Sequence, residues 1–158
     1  MPSDLSVGDP APDFDLAADG GARVRLADFE GQALVLYFYP KDDTSGCTTE
    51  AKAFAAASSD FKRAGASIVG VSKDSVKSHD KFKAKYDLNF ALGSDADGQV
   101  MERYGVWVEK SMYGRKYMGT ERTTLLIDGQ GRIARIWRKV KVPGHAEEVL
   151  AATKALVQ

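Results

Sequence analysis

Apolar positions along this chain fall into short continuous runs that alternate with longer amphipathic segments. Residues 33 to 39, ALVLYFY, and residues 67 to 72, SIVGVS, have strand length and are typical of strands covered on both faces. Residues 47 to 64 and 75 to 86 carry apolar side chains at helical spacing among polar ones, so they predict helices. This order predicts parallel strands joined by helices.

The remaining segments predict hairpins and shorter helices around this centre. Turn sequences ADGG and DGQG separate two pairs of predicted strands, 13–17 with 22–26 and 123–128 with 132–139. A short strand, a short helix and a last helix that Pro143 opens are predicted at 89–92, 97–104 and 143–157. Residues 106 to 119 show no clear period, and we expect mostly loop there.

Together these elements predict an α/β protein with a mixed central sheet, helices on both faces and an N-terminal hairpin. A thioredoxin-like fold has that order of elements. The chain has 158 residues, and we expect a single domain over residues 1–158.

Composition and charge narrow the function classes. Apolar residues make up 44% of the chain, and 22 basic residues balance 22 acidic ones, which argues against nucleic acid or an anionic membrane as the main partner. No apolar run approaches membrane-spanning length, and the N-terminus lacks a basic region before an apolar one. We therefore expect no membrane partner, no secretory signal and a cytoplasmic location. Two histidines far apart predict no metal cluster.

The only cysteine, Cys47, lies among polar residues instead of in an apolar run. The strand before it ends by Pro40, since proline cannot donate to a ladder, and a helix follows the loop. Sites in open α/β sheets gather at the C-terminal ends of strands. Unpaired backbone N–H groups and the helix dipole at the helix start favour the thiolate, which is the nucleophilic form.

The tetrapeptide TSGC has Thr44 where a dithiol exchanger would have its first cysteine. An internal dithiol–disulfide cycle is therefore excluded. The Thr44 hydroxyl can donate to a thiolate or accept from an incoming oxygen, an arrangement that suits attack on an electrophile with polar oxygen atoms. Ser45 is expected to cap the helix.

The stretch YFYPKDDTSGCTTEA resembles the peroxiredoxin active-site motif Pro–x–x–x–Thr–x–x–Cys, matched here by Pro40, Thr44 and Cys47. The longer string is similar to the PrxQ, or bacterioferritin comigratory protein, subfamily. Further segments resemble it in the same order, namely GDPAPDFDL, VGVSKDSVKSHDKFKAKY, YGVWVEKSMYGRKYMGTERTTLLID and VKVPGHAEEVL. The resemblance implies a thiol peroxidase that reduces hydrogen peroxide and organic hydroperoxides without metal, haem or flavin.

The resemblance also implies roles for four residues. Cys47 would be the peroxidatic nucleophile, and Arg122 would open a strand and point at its sulfur. Arg122, the Thr44 hydroxyl and the Cys47 N–H would stabilise the negative charge that spreads over sulfur and two oxygens. Pro40 would shield the sulfur and fix the loop.

Many relatives in this subfamily carry a second, resolving cysteine at positions that match Lys52 or Lys83 here. The chain has neither, so the resemblance implies a one-Cys mechanism. The reductant would then be an external thiol, either glutathione or a protein of the glutaredoxin or thioredoxin type. The subfamily also implies a monomer.

Two other functions stay open at this point. The first is a peroxide-responsive redox sensor or holdase with little turnover, and the second is a redox-inert thioredoxin-fold module. Several residues near the motif have plain structural interpretations: Glu50 as a dipole partner or salt bridge, Tyr39, Trp107 and Tyr113 as packing more than pocket lining, His79 and His145 as surface or capping residues, and Asp42 and Asp43 as a solvated loop.

Overall fold

A computed structural model describes residues 5–156 of the chain. Its strands are β1 Asp15–Ala18, β2 Arg23–Arg25, β3 Ala33–Phe38, β4 Ala66–Ser72, β5 Ala91–Ser94, β6 Trp107–Met112, β7 Arg115–Thr120, β8 Thr123–Ile127 and β9 Ile133–Trp137. Its α-helices are α1 Ser45–Arg63, α2 Val76–Tyr86, α3 Gln99–Arg103 and α4 His145–Leu156. The predicted end of the last helix at residue 157 lies outside the described residues, as do the first four residues of the chain.

Seven strands form the central sheet in the order β2-β1-β5-β4-β3-β8-β9. The pairs β3–β4 and β4–β5 are parallel, and the strands toward both edges pair antiparallel. The mixed sheet and the N-terminal β1–β2 hairpin are therefore confirmed. Because β3 and β4 are parallel neighbours, their C-terminal ends meet at one edge of the sheet, where the loop to α1 begins.

Successive side chains of β3 point to opposite faces of the sheet, and both sets are buried. Leu34, Leu36 and Phe38 pack in a cluster with side chains of α3. The alternate residues, Val35 and Tyr37, pack in a second cluster with side chains of α1, α2 and α4. We call these the α3 face and the α1 face. The predicted helices on both faces are therefore present.

The segment expected to be loop, residues 106 to 119, instead forms a hairpin. Strands β6 and β7 pair antiparallel from Trp107↔Thr120 to Met112↔Arg115, as a two-stranded sheet of their own. At its tip Tyr113 and Gly114 have φ of 52° and 77°, and a two-residue turn needs positive φ at both positions. The strands are mostly exposed on both faces, so they lack the alternation that would have revealed them.

Within residues 5–156, no helix is both long and apolar enough to cross a membrane.

Candidate active site

Cys47 lies in the first turn of α1, directly after the loop that follows β3. The helix begins at Ser45 rather than Cys47, and Thr44 takes the N-cap position without a side-chain capping bond, so the capping role expected for Ser45 is wrong. The first intrahelical bond runs from the Thr48 N–H to the Thr44 carbonyl at 2.8 Å. The amides before it, including that of Cys47, have no acceptor inside the helix. This turn therefore presents positive partial charge around a sulfur-bearing residue that is 1% exposed.

Arg122 lies immediately before β8 and reaches across to α1. Its Nη2 donates to Cys47 Sγ at 3.3 Å, and its Nη1 donates to Glu50 Oε1 at 2.6 Å. Burial lowers the pKa of Arg122, but the charges of Glu50 and Cys47 outweigh that effect and raise it above its usual value. A guanidinium that stays charged thus spans both acceptors, which only the fork geometry of arginine allows.

Gly46 makes this contact possible. A Cβ at position 46 would lie 3.3 Å from Nη2 of Arg122, which is tighter than ordinary van der Waals contact. A larger residue there would require the guanidinium, or the helix start, to shift by a few tenths of an ångström. The glycine before the cysteine therefore has a steric role in the site, in addition to the roles that the sequence suggested for its neighbours.

Glu50 is 2% exposed and forms the salt bridge with Arg122 that was one of its expected roles. Its second carboxylate oxygen, Oε2, is buried without a hydrogen-bond partner. Burial raises the pKa of Glu50 to about 7, against the opposing charge and hydrogen bond of Arg122. This carboxyl group therefore changes charge near neutral pH, and it is linked to the Cys47 sulfur through the guanidinium of Arg122.

Pro40 and Thr44 lie on the loop that leads from β3 into the helix of Cys47, and both are exposed. The Thr44 hydroxyl donates to the Lys41 carbonyl at 2.9 Å. Its single proton is therefore not given to the sulfur in this structure, and its oxygen keeps free lone pairs for a donor. Pro40 follows the buried Tyr39, whose N–H still bonds to the Val71 carbonyl of β4.

Three polar residues are buried, although Asp42 was expected in a solvated loop and His79 and His145 at the surface or in capping positions. Asp42 is 7% exposed, His79 is 0% exposed and His145 is 6% exposed. His145 begins α4 with its Nε2 2.8 Å from Thr124 Oγ1 of β8. His79 is bound to Asp42. The sequence did contain a signal for His79, because it stands three residues after Val76 and three before Phe82, on the apolar stripe of its helix.

Asp43 is exposed as expected, but it is not merely solvated. Its carboxylate accepts from the Tyr86 hydroxyl at 2.5 Å and from the Lys85 ammonium at 2.8 Å, both at the end of α2. These bonds lower the pKa of Asp43. The loop between β3 and α1 is therefore tied to α2 through two consecutive aspartates.

The aromatic residues near the motif differ in their roles. Tyr39 is 1% exposed and donates its hydroxyl to Asp42 at 2.6 Å. Trp107 carries the Lys73 ammonium 4.2 Å from its ring centroid. Tyr113 is 98% exposed at the tip of the β6–β7 hairpin, so it lines no pocket.

The two positions that match the resolving cysteines of relatives are occupied by lysines with other contacts. The Lys83 ammonium pairs with Asp19 at 2.7 Å, which ties α2 to the turn between β1 and β2. Lys52 is exposed on α1, with its ammonium 6.0 Å from the Tyr86 ring centroid. Among residues 5–156, no three histidine, cysteine, aspartate or glutamate side chains are grouped so that they could hold a metal ion.

Comparison with known proteins gives consistent results. Residues 7–136 match the model of the AhpC/TSA family. A protein of Coxiella burnetii called putative peroxiredoxin bcp is 52% identical over 146 residues, which cover 92% of this chain and 97% of that one.

Solved structures agree with this match. A PrxQ variant of Xylella fastidiosa is 44% identical with a TM-score of 0.93 over 99% of both chains. The bacterioferritin comigratory protein of Xanthomonas campestris, described with alkyl peroxide reduction activity, is 48% identical with a TM-score of 0.88 over 92% of both chains. These likenesses confirm the predicted thioredoxin-like fold.

Proposed function

This chain belongs to the AhpC/TSA family and is a peroxiredoxin, a thiol peroxidase, and we propose that it reduces hydrogen peroxide and organic hydroperoxides by a one-Cys mechanism at Cys47. Its family implies peroxide substrates and a thiol reductant. The observation that carries the proposal is the 3.3 Å contact between Arg122 Nη2 and Cys47 Sγ in the first turn of α1. The alkyl peroxide reduction described for the Xanthomonas campestris protein supports organic hydroperoxides as substrates.

The first step is attack of the Cys47 thiolate on one peroxide oxygen. A sulfur lone pair forms the S–O bond, the O–O bond breaks, and its electron pair leaves on the second oxygen. That oxygen takes up a proton and departs as water or an alcohol, and Cys47 becomes a sulfenic acid. Negative charge moves from sulfur to two oxygens during this step, so donors fixed along that line stabilise the transition state more than the ground state. Arg122 and the Cys47 N–H are those donors.

Thr44 and Pro40 position the substrate. Because the Thr44 hydroxyl donates to the Lys41 carbonyl, its oxygen is left to accept the O–H of the incoming peroxide. That bond would hold the peroxide with one oxygen toward the sulfur. Pro40, whose φ is locked, would keep the loop in place and shield the sulfur from water.

Reduction then requires two equivalents of an external thiol. The first thiol attacks the sulfenic acid, forms a mixed disulfide on Cys47 and releases water. The second thiol attacks the sulfur of the first thiol in that mixed disulfide, the two leave as a disulfide of their own, and Cys47 departs as the thiolate. Lys52 and Lys83 stand where relatives have a resolving cysteine, and Cys47 is the only cysteine, so an external thiol of the glutathione, glutaredoxin or thioredoxin type takes this part. A monomeric state and a cytoplasmic location stay predictions.

The direct test is to mix reduced protein with stoichiometric peroxide and to follow it by intact mass and by peroxide consumption with a panel of thiols. We expect wild type to gain one oxygen atom and to turn over with at least one thiol, and Cys47→Ser to do neither while keeping its fold. A free thiol that survives stoichiometric peroxide would contradict the peroxidase. Stoichiometric oxidation without turnover for any thiol would instead favour the redox sensor.

A further inference from the structure

A cluster of buried and half-buried polar side chains holds the loop that carries Pro40 and Thr44. It lies beneath that loop, between the end of β3, the turn after β4, α2 and β5, and we call it the loop cluster. Its members are Tyr39, Asp42, Ser72, Asp74, Ser78 and His79.

His79 faces a hydrogen-bond acceptor with each of its ring nitrogens. Its Nδ1 lies 2.7 Å from Asp42 Oδ2, and its Nε2 lies 2.9 Å from the Gly93 carbonyl oxygen of β5. A carbonyl oxygen has no proton to give, and an ionised carboxylate has none either. With the Asp42 carboxylate as the acceptor, both ring nitrogens donate and His79 is an imidazolium, although its side chain is 0% exposed.

Asp42 is held from several directions by this arrangement. Besides His79, the hydroxyls of Tyr39 and Ser78 donate to its carboxylate at 2.6 Å and 2.8 Å. Its backbone N–H donates to Asp74 Oδ2 at 2.8 Å. The backbone midway between Pro40 and Thr44 is thereby fixed to two other elements of the fold.

A buried ion pair of this kind is weak evidence for a gain in stability, because the desolvation of two charges opposes their attraction. The Asp42–His79 pair does, however, hold the loop between β3 and α1 in one defined conformation. We propose that Asp42 and His79 are positioning residues for the peroxide reaction: the doubly donating His79 holds Asp42, and Asp42 holds the loop that places Pro40 and Thr44 around Cys47. This inference rests on the proposed function of Cys47.

The cluster also predicts a pH dependence. Burial lowers the pKa of His79, but the hydrogen bond and charge of Asp42, the Gly93 carbonyl and the charge of Asp74 outweigh it and raise that pKa above its usual value. The other titratable group facing it is Tyr39, whose pKa burial raises further. A raised pKa in the folded state means that the ion pair is complete below the pKa of an unfolded histidine. It is lost as the pH rises through the folded pKa.

The test compares two neutral variants that keep different halves of the His79 contacts. The amide nitrogen of Asn lies near the position of Nδ1, so His79→Asn keeps a donor for Asp42. The amide nitrogen of Gln lies near Nε2, so His79→Gln keeps only the bond to Gly93. Lys77→Gln, on the exposed side of the same helix, is the control.

Three readouts apply to these proteins: the rate constant for oxidation of Cys47 by peroxide, the rate of its alkylation by iodoacetamide, and nitrogen-15 NMR of the imidazoles. We expect His79→Gln to slow oxidation about 10- to 100-fold, since small misplacements in a site cost that much. We expect His79→Asn to slow oxidation clearly less than His79→Gln does, and Lys77→Gln to oxidise at the rate of wild type. The oxidation rate constant of wild type divided by that of His79→Asn should fall toward one at alkaline pH, because wild type then loses the charge on His79.

NMR tests the charge without any peroxide. Burial lowers the pKa of the other histidine, His145, so wild type at neutral pH should show one imidazolium and one neutral ring, and His79→Asn should remove the imidazolium.

A neutral His79, or equal oxidation rates for wild type and a folded His79→Gln, would overturn the proposal. If both His79 variants fail to fold, Ser78→Ala, which removes one donor from Asp42, should slow oxidation several-fold, and an unchanged rate would overturn it. Should wild type not react with peroxide at all, the proposed function fails, while alkylation and NMR still decide the positioning role.

Discussion

The two faces of the central sheet are buried to the same degree, but they are filled with different kinds of side chain. The α3 face has an apolar cluster that includes Leu34, Leu36 and Phe38 of β3. The α1 face has Tyr37 and Cys47 in its cluster and adds the buried carboxylate of Glu50. Strand β3 thus contributes Leu34, Leu36 and Phe38 to one face and Val35 and Tyr37 to the other, because its side chains alternate, and helix α1 adds Cys47 and Glu50 to the second face.

Unpaired polar atoms follow the same division. Within residues 5–156, the buried side-chain oxygen and nitrogen atoms without a hydrogen-bond partner belong to the α1 cluster or to α1 itself, namely Tyr37 Oη, Thr48 Oγ1, Glu50 Oε2 and Trp137 Nε1. On the α3 face, by contrast, the buried Asp95 carboxylate accepts the N–H groups of Val100 and Met101. Leaving a buried polar atom unpaired costs stability. The cost of unpaired buried polar atoms therefore falls on the face that carries the candidate site, although both faces contribute an apolar cluster to the core.

The largest effect is expected from removing the cation of the α1 face. Arg122→Ala should lower the rate constant for oxidation of Cys47 by about 10²- to 10³-fold, the size of effect seen when one donor to a developing charge is lost. Stopped-flow measurement on reduced protein gives this rate. Arg115→Ala, at the exposed hairpin tip, is the matched control and should react like wild type. A loss below ten-fold with the fold retained would mean that the contact at 3.3 Å does not act on the reaction.

The next prediction tests the other face. Leu36 is 0% exposed, and Leu36→Ala should lower the free energy of unfolding by about 2–5 kcal/mol, because it removes buried methyl groups and leaves a cavity. Urea denaturation measures that change. At a temperature where the variant is fully folded, the oxidation rate of Cys47 should equal that of wild type. A parallel fall in rate would show that the two faces are not independent.

A smaller, pH-dependent effect is expected at Glu50. Burial raises its folded pKa from 4.5 to about 7, so the folded protein binds an extra proton between these values. The stability of wild type should therefore decrease as the pH rises through that interval. Glu50→Gln cannot titrate and so lacks this pH dependence. As the pH rises from 4.5 to about 7, the free energy of unfolding of the variant should therefore increase relative to that of wild type, by up to about 3 kcal/mol at 1.36 kcal/mol per pKa unit. Urea denaturation at several pH values measures the difference, and parallel curves for the two proteins would contradict the prediction.

The sequence predicted well those parts of the fold in which the pattern of apolar residues indicates a single type of element. Strand β3 is apolar throughout, β4 has a central apolar run between Ser67 and Ser72, and α1 and α2 have apolar residues at helical spacing, so packing and local preference agree. The β6–β7 hairpin lacks that agreement. Its turn places Tyr113 at positive φ, where a glycine or asparagine would have marked it, and its exposed strands need no apolar alternation.

The candidate site was predictable only in part for a similar reason. Motif spacing pointed to Cys47 and Thr44, and the family resemblance alone pointed to Arg122. Asp42 and His79 were misjudged because charge normally signals solvent, and their pairing joins residues 37 positions apart in the sequence. A buried ion pair leaves no local pattern, since each partner looks like a surface residue until the fold brings them together.

The solitary thiol has a practical consequence for anyone who handles this enzyme. Two copies that become covalently linked through sulfur can be joined only at position 47, so such a dimer has both reaction centres blocked at once. Cys47 is 1% exposed, so the folded first turn of α1 opposes such a bond. Peroxide would supply the oxidant, because the sulfenic acid on one copy can condense with the Cys47 thiol of another and release water. A crosslinked band on a non-reducing gel after peroxide treatment would report this side reaction, and its disappearance with added thiol would show that both sulfurs are recovered.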